Sequence, residues 1–255
     1  MNIQRGSLWR KWDLHIHTPA SFKHWKGTKR YYDMTTSEKD EVNQKIIDSM
    51  NQSDVAVFCI MDYWTFDGYF EIKAYLDKNP NVKCNATILP GIELRVDAPS
   101  KKRLNIHAIL SDQLSRQQIN DFKNELRLLE SNRPLSYEAL REFAKGLDAG
   151  KARHYGYKNP AELDDEKLTE LGFDTAEVTR ESLQKAINLL PENTCLIMLP
   201  YDTHGGAAEL YWQEHPPADN FFMRMANLFE TQYFKKPLLG YGIKEKNQTN
   251  QTPRS

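Results

Sequence analysis

Hydrophobic and polar residues alternate near the start of the chain, in the stretch WDLHIH. Leu14 and Ile16 are interleaved with His15 and His17, and this period of two is typical of a β-strand. Side chains at positions i and i+2 of a strand point to the same face. The pattern predicts a short strand that presents both histidines on one side.

Longer apolar runs predict strands that are buried on both faces. They are DVAVFCIMDYW, ATILPGIELRV, RLNIHAIL and TCLIMLPYDTHGG, with a weaker candidate in NLFETQYF. Two helical patterns lie among them: SEKDEVNQKIIDSMNQ, which opens with a Ser-x-x-Asp capping signal, and DGYFEIKAYLDKN. Strands that alternate with helices indicate βαβ units, so we expect an α/β fold with a largely parallel sheet or barrel.

The segment 111–192 has mainly helical patterns and few candidate catalytic groups. Its amphipathic stretches are SRQQINDFKNELRLLES, SYEALREFAKGL and TRESLQKAINLLPEN. We expect one domain over residues 1–235, with 111–192 as a mainly helical insertion. Residues 236–255 contain few apolar side chains and are predicted to be a disordered tail.

The composition is that of a globular protein, because 40% of the 255 residues are hydrophobic and 27% are charged. A formal net charge of -1 argues against coating of nucleic acid through bulk charge, although a local basic patch is compatible with it. No signal-peptide core or membrane-length apolar run occurs, so we expect a cytoplasmic protein. The three cysteines lack any C-x-x-C spacing, which disfavours a disulfide framework or a thiolate zinc site.

Polar groups that can bind a cation lie in the predicted strands or just after them. They are His15, His17, Asp62, Glu93, His107, Asp202 and His204. The carboxyl ends of parallel strands open into one mouth, so we expect these side chains to meet there. Imidazoles and carboxylates without thiolates suit Zn, Mn or Fe ions.

Structural explanations compete with the metal interpretation. Glu93 lies in an apolar strand and needs either a cation or a donor, and an arginine would serve as well as a metal. His107 fits a metal ligand or a hydrogen-bonded core histidine, and Asp62 fits a residue that orients a ligand or a solvated one. A loop in which Lys26, Lys29 and Arg30 alternate with aromatic residues, joined by Arg103, predicts a lip that binds a nucleotide or nucleic-acid end. Solvated loops are the alternative.

Over roughly residues 5–235 the chain resembles the PHP (polymerase and histidinol phosphatase) family. The resemblance is carried by an ordered series of motifs: DLHIHTPAS, IMDYWTFDGY, ILPGIEL and NIHAIL. It is strongest to the N-terminal PHP module of TrlF-type AAA-like ATPases. The resemblance implies a distorted seven-stranded (β/α) barrel that holds two or more Zn, Mn or Fe ions and hydrolyses phosphate esters. By this resemblance, His15 and His17 match the first ligands, Glu93 the bridging carboxylate and His107 a later ligand.

Two departures from the family pattern follow. Tyr63 stands where most of the family has a histidine, as the resemblance suggests for the TrlF-like branch. The family's last Asp-x-His should follow NLFETQYF, but no Asp or His occurs after Phe234. Either Asp202 and His204 supply this motif or the barrel is incomplete. No G-x-x-x-x-G-K-[ST] loop occurs, so we interpret the chain as a stand-alone or truncated PHP module.

The sequence thus predicts a phosphoesterase in which divalent metals activate water. The expected metal ligands are His15, His17, Glu93, His107 and Asp202; Asp62 would orient a ligand or accept a proton, and His204 would complete the ligand set or donate to the leaving oxygen. The substrate would be a phosphate ester, with a nucleotide or nucleic acid preferred. The alternative is a degenerate module that binds or regulates a separate ATPase, for example in phage defence.

Overall fold

A single mixed sheet organises the computed structural model, which describes residues 10–22, 25, 27, 29–99, 103–201, 206–207, 221–222 and 224–231. The strands are β1 Lys11–Ile16, β2 Val55–Tyr63, β3 Thr87–Val96, β4 Leu104–Leu110, β5 Cys195–Pro200 and β6 Leu228–Glu230. Their order in the sheet is their order in the chain. The predicted α/β class is confirmed, although the described residues contain six strands where the resemblance implies seven.

Seven α-helices accompany the sheet within the described ranges. They are α1 Thr36–Gln52, α2 Asp67–Lys78, α3 Arg116–Glu125, α4 Tyr137–Lys145, α5 Ala149–His154, α6 Asp165–Thr175 and α7 Arg180–Asn188. Five of them lie between β4 and β5, in the segment predicted to be a helical insertion. The pattern missed α5 and α6. The cap of α1 is Thr35, which forms a capping box with Glu38, so the cap lies two residues before the predicted Ser37.

The sheet is less parallel than the pattern predicted. β4 runs antiparallel to both β3 and β5, whereas the other neighbouring strands are parallel. The connection between β3 and β4 covers only 97–103, which is too short for the crossover that a parallel pair requires. The position of His107 in the sheet therefore follows from the pairing of β4 with its neighbouring strands, and not from a location at the carboxyl end of a parallel strand.

The two faces of the sheet have different cores. Phe58, Ile60 and Ile92 belong to the large cluster that also contains Ile47 of α1 and Ile72 of α2, so this face is covered by helices. The opposite face carries a small cluster formed by Cys59, Met61, Ile109 and Met198. Alternation along β3 and β4 places Glu93 and His107 on the face of this small cluster.

Helices α4 and α6 pack closely at Gly172. A Cβ atom at this position would lie 2.5 Å from the carbonyl oxygen of Leu140, a backbone atom that cannot rotate away. We expect Gly172→Ala to lower the free energy of unfolding by about 1–3 kcal/mol, despite the better helix propensity of alanine. Urea unfolding measures this change. Gly146→Ala is the control, because its nearest neighbour would be 3.5 Å away; equal stability of both variants would contradict the packing.

None of the helices that the structure describes combines the length and the apolar character needed to cross a membrane.

Candidate metal centre

Four strands bring imidazoles and carboxylates together on the face that carries the small apolar cluster. Two groups have ligand atoms that all lie within 4.8 Å of one another: His15 with His17 and Glu93, and His15 with His107 and Glu230. The side chains come from β1 and the residue after it, from β3, from β4 and from β6. The centre therefore joins the first described strand to the last.

The meeting of His15 and Glu230 requires a strongly curled sheet. Neighbouring strands lie about 4.8 Å apart, so β1 and β6 would be separated by about 24 Å if the sheet were flat. The ligand atoms of His15 and Glu230 are within 4.8 Å of each other. The described strands thus form a half-barrel whose concave face holds the centre, and Leu14, Leu89 and Leu228 pack against the small apolar cluster on that face.

An irregularity in β1 aims the first histidine into this centre. Asp13 pairs with Phe58 and Ile16 with Ile60, so three steps along β1 face two steps along β2. The backbone N–H of His15 donates to the Asp13 carboxylate at 3.3 Å inside this bulge. Bulges of this kind redirect side chains. The strict alternation predicted for WDLHIH is therefore broken, and Leu14 joins the concave cluster while Ile16 packs on the helical side.

His17 is fixed from two sides. Its Nδ1 lies 3.2 Å from the hydroxyl oxygen of Ser21, and its ring stacks on Tyr63 with centroids 5.2 Å apart and 7° between the planes. A contact at one ring nitrogen orients the other toward a ligand. The guanidinium of Arg95 lies 5.3 Å from the centroid of the Tyr63 ring. Burial raises the pKa of Tyr63 to about 12, so its phenol keeps its proton at neutral pH.

The carboxylate of Glu93 occupies the middle of the centre. Its Oε2 lies 3.2 Å from His15 Nε2, while its Oε1 accepts hydrogen bonds from Arg95 at 2.9 Å and Asn105 at 3.0 Å. Burial alone would raise the pKa of Glu93, but His107, His15 and Arg95 hold it well below its ordinary value. The arginine partner that the sequence left as an alternative is present, and it occupies Oε1 while Oε2 faces His15.

His107 is fully buried, and neither of its ring nitrogens has a hydrogen-bond partner among the described residues. Its Nε2 is 3.7 Å from Glu93 Oε1, which is too long for a hydrogen bond. Burial lowers the pKa of His107, so the imidazole is neutral and has a lone pair to offer. Buried polar groups are rarely left unpaired. An orphaned imidazole between carboxylates fits a divalent cation with nitrogen and oxygen ligands.

Asp62 lies on the opposite, helix-covered face of the sheet. Both of its oxygens accept hydrogen bonds from Thr18, one from the backbone N–H and one from the hydroxyl group, each at 2.7 Å. Burial raises the pKa of Asp62 to about 7, although the Thr18 hydrogen bonds oppose this shift. A Cβ atom on Gly68 would overlap both Asp62 Oδ2 and Thr18 Oγ1. Asp62 thus anchors the turn that follows His17, on the face of the sheet opposite the ligand cluster.

The described residues of the predicted cationic lip each make separate contacts with other parts of the chain. Lys29 forms an ion pair with Glu38, and Arg30 donates to the carbonyl oxygens of Ser21 and Phe22. Arg103 donates to the Ala176 carbonyl at 3.4 Å, and its guanidinium lies 5.2 Å from the centroid of the Tyr155 ring. Three other predicted site residues, Lys26, Asp202 and His204, lie outside the described residues.

Sequence reasoning overlooked three members of this site. Arg95 and Asn105 each lie two residues from a predicted ligand in the same strand, so the period of two could have identified both. Glu230 is a carboxylate in the apolar stretch NLFETQYF, the same signal that singled out Glu93. The weaker apolar pattern of this strand predicts its position but does not predict that its glutamate is buried among ligands.

No protein-family model matches the chain, and no curated protein matches it in sequence. Among solved structures, one match is a Bifidobacterium adolescentis protein designated a metal-dependent phosphoesterase, with a TM-score of 0.42 and 11% identity over 87% of this chain and 77% of that one. Another is an amidohydrolase from Chromobacterium violaceum with bound sulfate and no metal, with a TM-score of 0.36 and 12% identity over 86% and 76% of the two chains. Similarity at this level carries no argument about function, so the interpretation of the centre rests on the geometry of its own residues.

Proposed function

We propose that the protein is a metal-dependent hydrolase of phosphate esters. The observation that carries this proposal is the convergence of His15, His17 and Glu93 on one concave face, with their ligand atoms within 4.8 Å of one another. Two imidazoles and a carboxylate are a donor set for Zn, Mn or Fe, and they leave coordination positions open for water and substrate. A bound divalent ion supplies Lewis acidity and lowers the pKa of water, which yields a nucleophile at neutral pH.

The charge of the site favours an anionic substrate. Glu93 and Arg95 carry opposite charges and lie 2.9 Å apart, so together they contribute no net charge. The remaining carboxylate of the centre, Glu230, offsets only one of the two positive charges of a divalent ion, so the site keeps a net positive charge. Such a site attracts a phosphoryl group more strongly than a neutral amide. This argument and the resemblance to the PHP family support a phosphate ester, and nucleotides and nucleic-acid ends are the first substrates to test.

The surrounding residues have positioning roles in this proposal. Ser21 and Tyr63 hold the His17 ring, and Asp62 holds the turn at Thr18. Arg95 orients the Glu93 carboxylate and bears the positive charge nearest to it. The predictions that Asp202 is a ligand, that His204 donates a proton to the leaving oxygen, and that Lys26, Lys29, Arg30 and Arg103 bind substrate remain proposals, as does a cytoplasmic location.

His17→Ala tests the proposal. We expect the purified wild-type chain to contain at least one Zn, Mn or Fe ion and to hydrolyse generic phosphomonoesters or phosphodiesters, and the variant to lose about 100-fold in activity because one ligand is removed. Elemental analysis and an assay across added metals provide the measurements. His154→Ala, which alters an exposed histidine outside the cluster, is the matched control.

Less than one metal per wild-type chain, together with unchanged activity in His17→Ala, would overturn the enzyme assignment. That outcome would favour the alternative of a binding or regulatory module beside an ATPase. Metal binding without hydrolysis of any tested phosphate ester would retain the centre and reject the substrate class.

A further inference from the structure

The turn that follows His17, residues 18–22, packs on the helical insertion. Phe22, the last residue of this turn, stacks on Phe173 of α6, with ring centroids 4.1 Å apart and 28° between the planes. Tyr137, the first residue of α4, lies beside both rings, with its centroid 6.1 Å from that of Phe22 and 5.8 Å from that of Phe173. Aromatic pairs at these separations stabilise a contact beyond the area they bury. The insertion thus supplies two aromatic side chains on which the turn packs.

Helix α6 also holds the residue that follows Tyr63. The indole N–H of Trp64 donates to the carbonyl oxygen of Phe173 at 3.3 Å, and the two rings meet edge-on with centroids 6.4 Å apart. Trp64 is buried and has a backbone φ of +64°, in the left-handed region that a bulky residue rarely adopts. Such a conformation persists only where surrounding contacts hold it, and it is concentrated at functional sites. Phe173 therefore contacts both the turn after His17 and the residue that ends β2.

Only one residue separates each of these contacts from a side chain that orients His17. Ser21, whose hydroxyl oxygen lies 3.2 Å from Nδ1 of His17, directly precedes Phe22. The backbone nitrogen of Tyr63 lies 3.5 Å from the same hydroxyl oxygen, and the Tyr63 ring stacks on His17. Trp64 directly follows Tyr63. A displacement of Phe22 or Trp64 is therefore passed to both groups that hold the imidazole.

We propose that Phe173 is a positioning residue of the metal centre, and that its contacts with Phe22 and Trp64 form a latch by which the helical insertion fixes the orientation of His17. This inference rests on the proposed function, because it assumes that His17 binds metal. A metal-binding histidine depends on outer contacts that fix its ring, and the loss of such contacts weakens metal binding. The three residues of the latch have no metal-ligating atom in their side chains, so they act on the centre only through the residues next to them.

Phe22→Ala tests the latch on the 255-residue chain, because Phe22 is half-buried whereas Phe173 and Trp64 are buried. Titration of metal-free protein with Mn²⁺, followed by calorimetry, should show affinity about tenfold weaker than in the wild type. The d–d absorption spectrum of bound Co²⁺ should also change, because the orientation of the His17 ligand changes. Phe22→Tyr keeps the aromatic ring and should restore the affinity and the spectrum of the wild type.

A matched control separates positioning from stability. Leu168→Ala truncates another buried side chain of α6, in the separate small cluster that contains Leu171. It should lower the free energy of unfolding and leave Mn²⁺ affinity and the Co²⁺ spectrum unchanged, whereas Phe173→Ala should lower both stability and affinity. The double variant Phe22→Ala with Phe173→Ala should bind Mn²⁺ no more weakly than Phe173→Ala, because both substitutions remove the same contact.

The outcomes separate this inference from the proposed function. Wild-type Mn²⁺ affinity and an unaltered Co²⁺ spectrum in Phe22→Ala and Phe173→Ala, with binding lost in His17→Ala, would overturn the latch alone. An equal loss of affinity in Leu168→Ala would also overturn it, because the effect would then follow from stability. Absence of metal binding by the wild type would overturn both proposals. Far-UV circular dichroism and urea unfolding in the presence of a chelator establish that each variant is folded.

Discussion

Glu93→Gln is expected to lower kcat/KM for phosphate-ester hydrolysis by at least about 1000-fold and to reduce the metal content below one ion per chain. The substitution preserves the shape of the side chain but removes the negative charge that lies 3.2 Å from His15. Because the pKa of Glu93 is held well below its ordinary value, its carboxylate is ionised throughout the neutral range. The loss should therefore not be recovered by raising the pH. Elemental analysis and steady-state kinetics measure the two effects.

The control for this experiment has to separate catalysis from stability. Glutamine at position 93 leaves the guanidinium of Arg95 without its partner, and an unpaired charge that is largely buried costs about 3–5 kcal/mol. The double variant Glu93→Gln with Arg95→Leu removes both charges and should regain stability without regaining activity. Glu71→Gln breaks the ion pair with Lys39 outside the centre and should retain activity. Activity of Glu93→Gln within tenfold of the wild type would refute the central role of Glu93.

Asp62 should make the stability of the wild type fall as the pH rises. Its pKa is about 7 in the folded chain and near 3.8 in the unfolded chain. Between these values the folded chain holds a proton that the unfolded chain has lost, so the stabilisation is complete below about pH 4 and is lost as the pH rises through about 7. Relative to Asp62→Asn, which cannot ionise, the free energy of unfolding should decrease by roughly 3 kcal/mol between pH 5 and pH 8.

Urea unfolding of both proteins at the two pH values measures this difference. Asparagine keeps an acceptor for the backbone N–H of Thr18, whereas Asp62→Ala leaves that N–H and the hydroxyl proton of Thr18 without the acceptors they have in the wild type. We expect the alanine variant to lose about 2–4 kcal/mol at either pH. Parallel pH profiles for the wild type and Asp62→Asn would show that Asp62 does not titrate in this range.

Much of the fold follows from local patterns. The apolar runs predict β2, β3, β4 and β5 because strands covered on both faces are apolar throughout. The direction of β4 could have been inferred from the short 97–103 connection, but the expectation of βαβ units overrode it. Helix α6 was missed because seven of its residues are buried, so it lacks the polar face by which an amphipathic helix is recognised.

The candidate site is only partly visible in the sequence. Glu93 and His107 stand out because a polar side chain in a buried apolar strand is costly unless it has a binding partner. The sequence cannot tell that Asp62 faces the helices while the adjacent Tyr63 faces the centre, because β2 is apolar on both faces and its pattern does not show which face the helices cover. The bulge at Asp13 is equally hidden, and the contact between His15 and Glu230 depends on the curl of the whole sheet.

The order of the strands has a consequence for biosynthesis. Each strand pairs with the one that precedes it in the chain, so the sheet can grow strand by strand while the polypeptide leaves the ribosome. The cluster of His15, His107 and Glu230 cannot form until Glu230 has emerged, since it joins the two ends of this series. His15, His17 and Glu93 come from the first three strands or the residue after β1, so they can meet before the rest of the sheet has been synthesised.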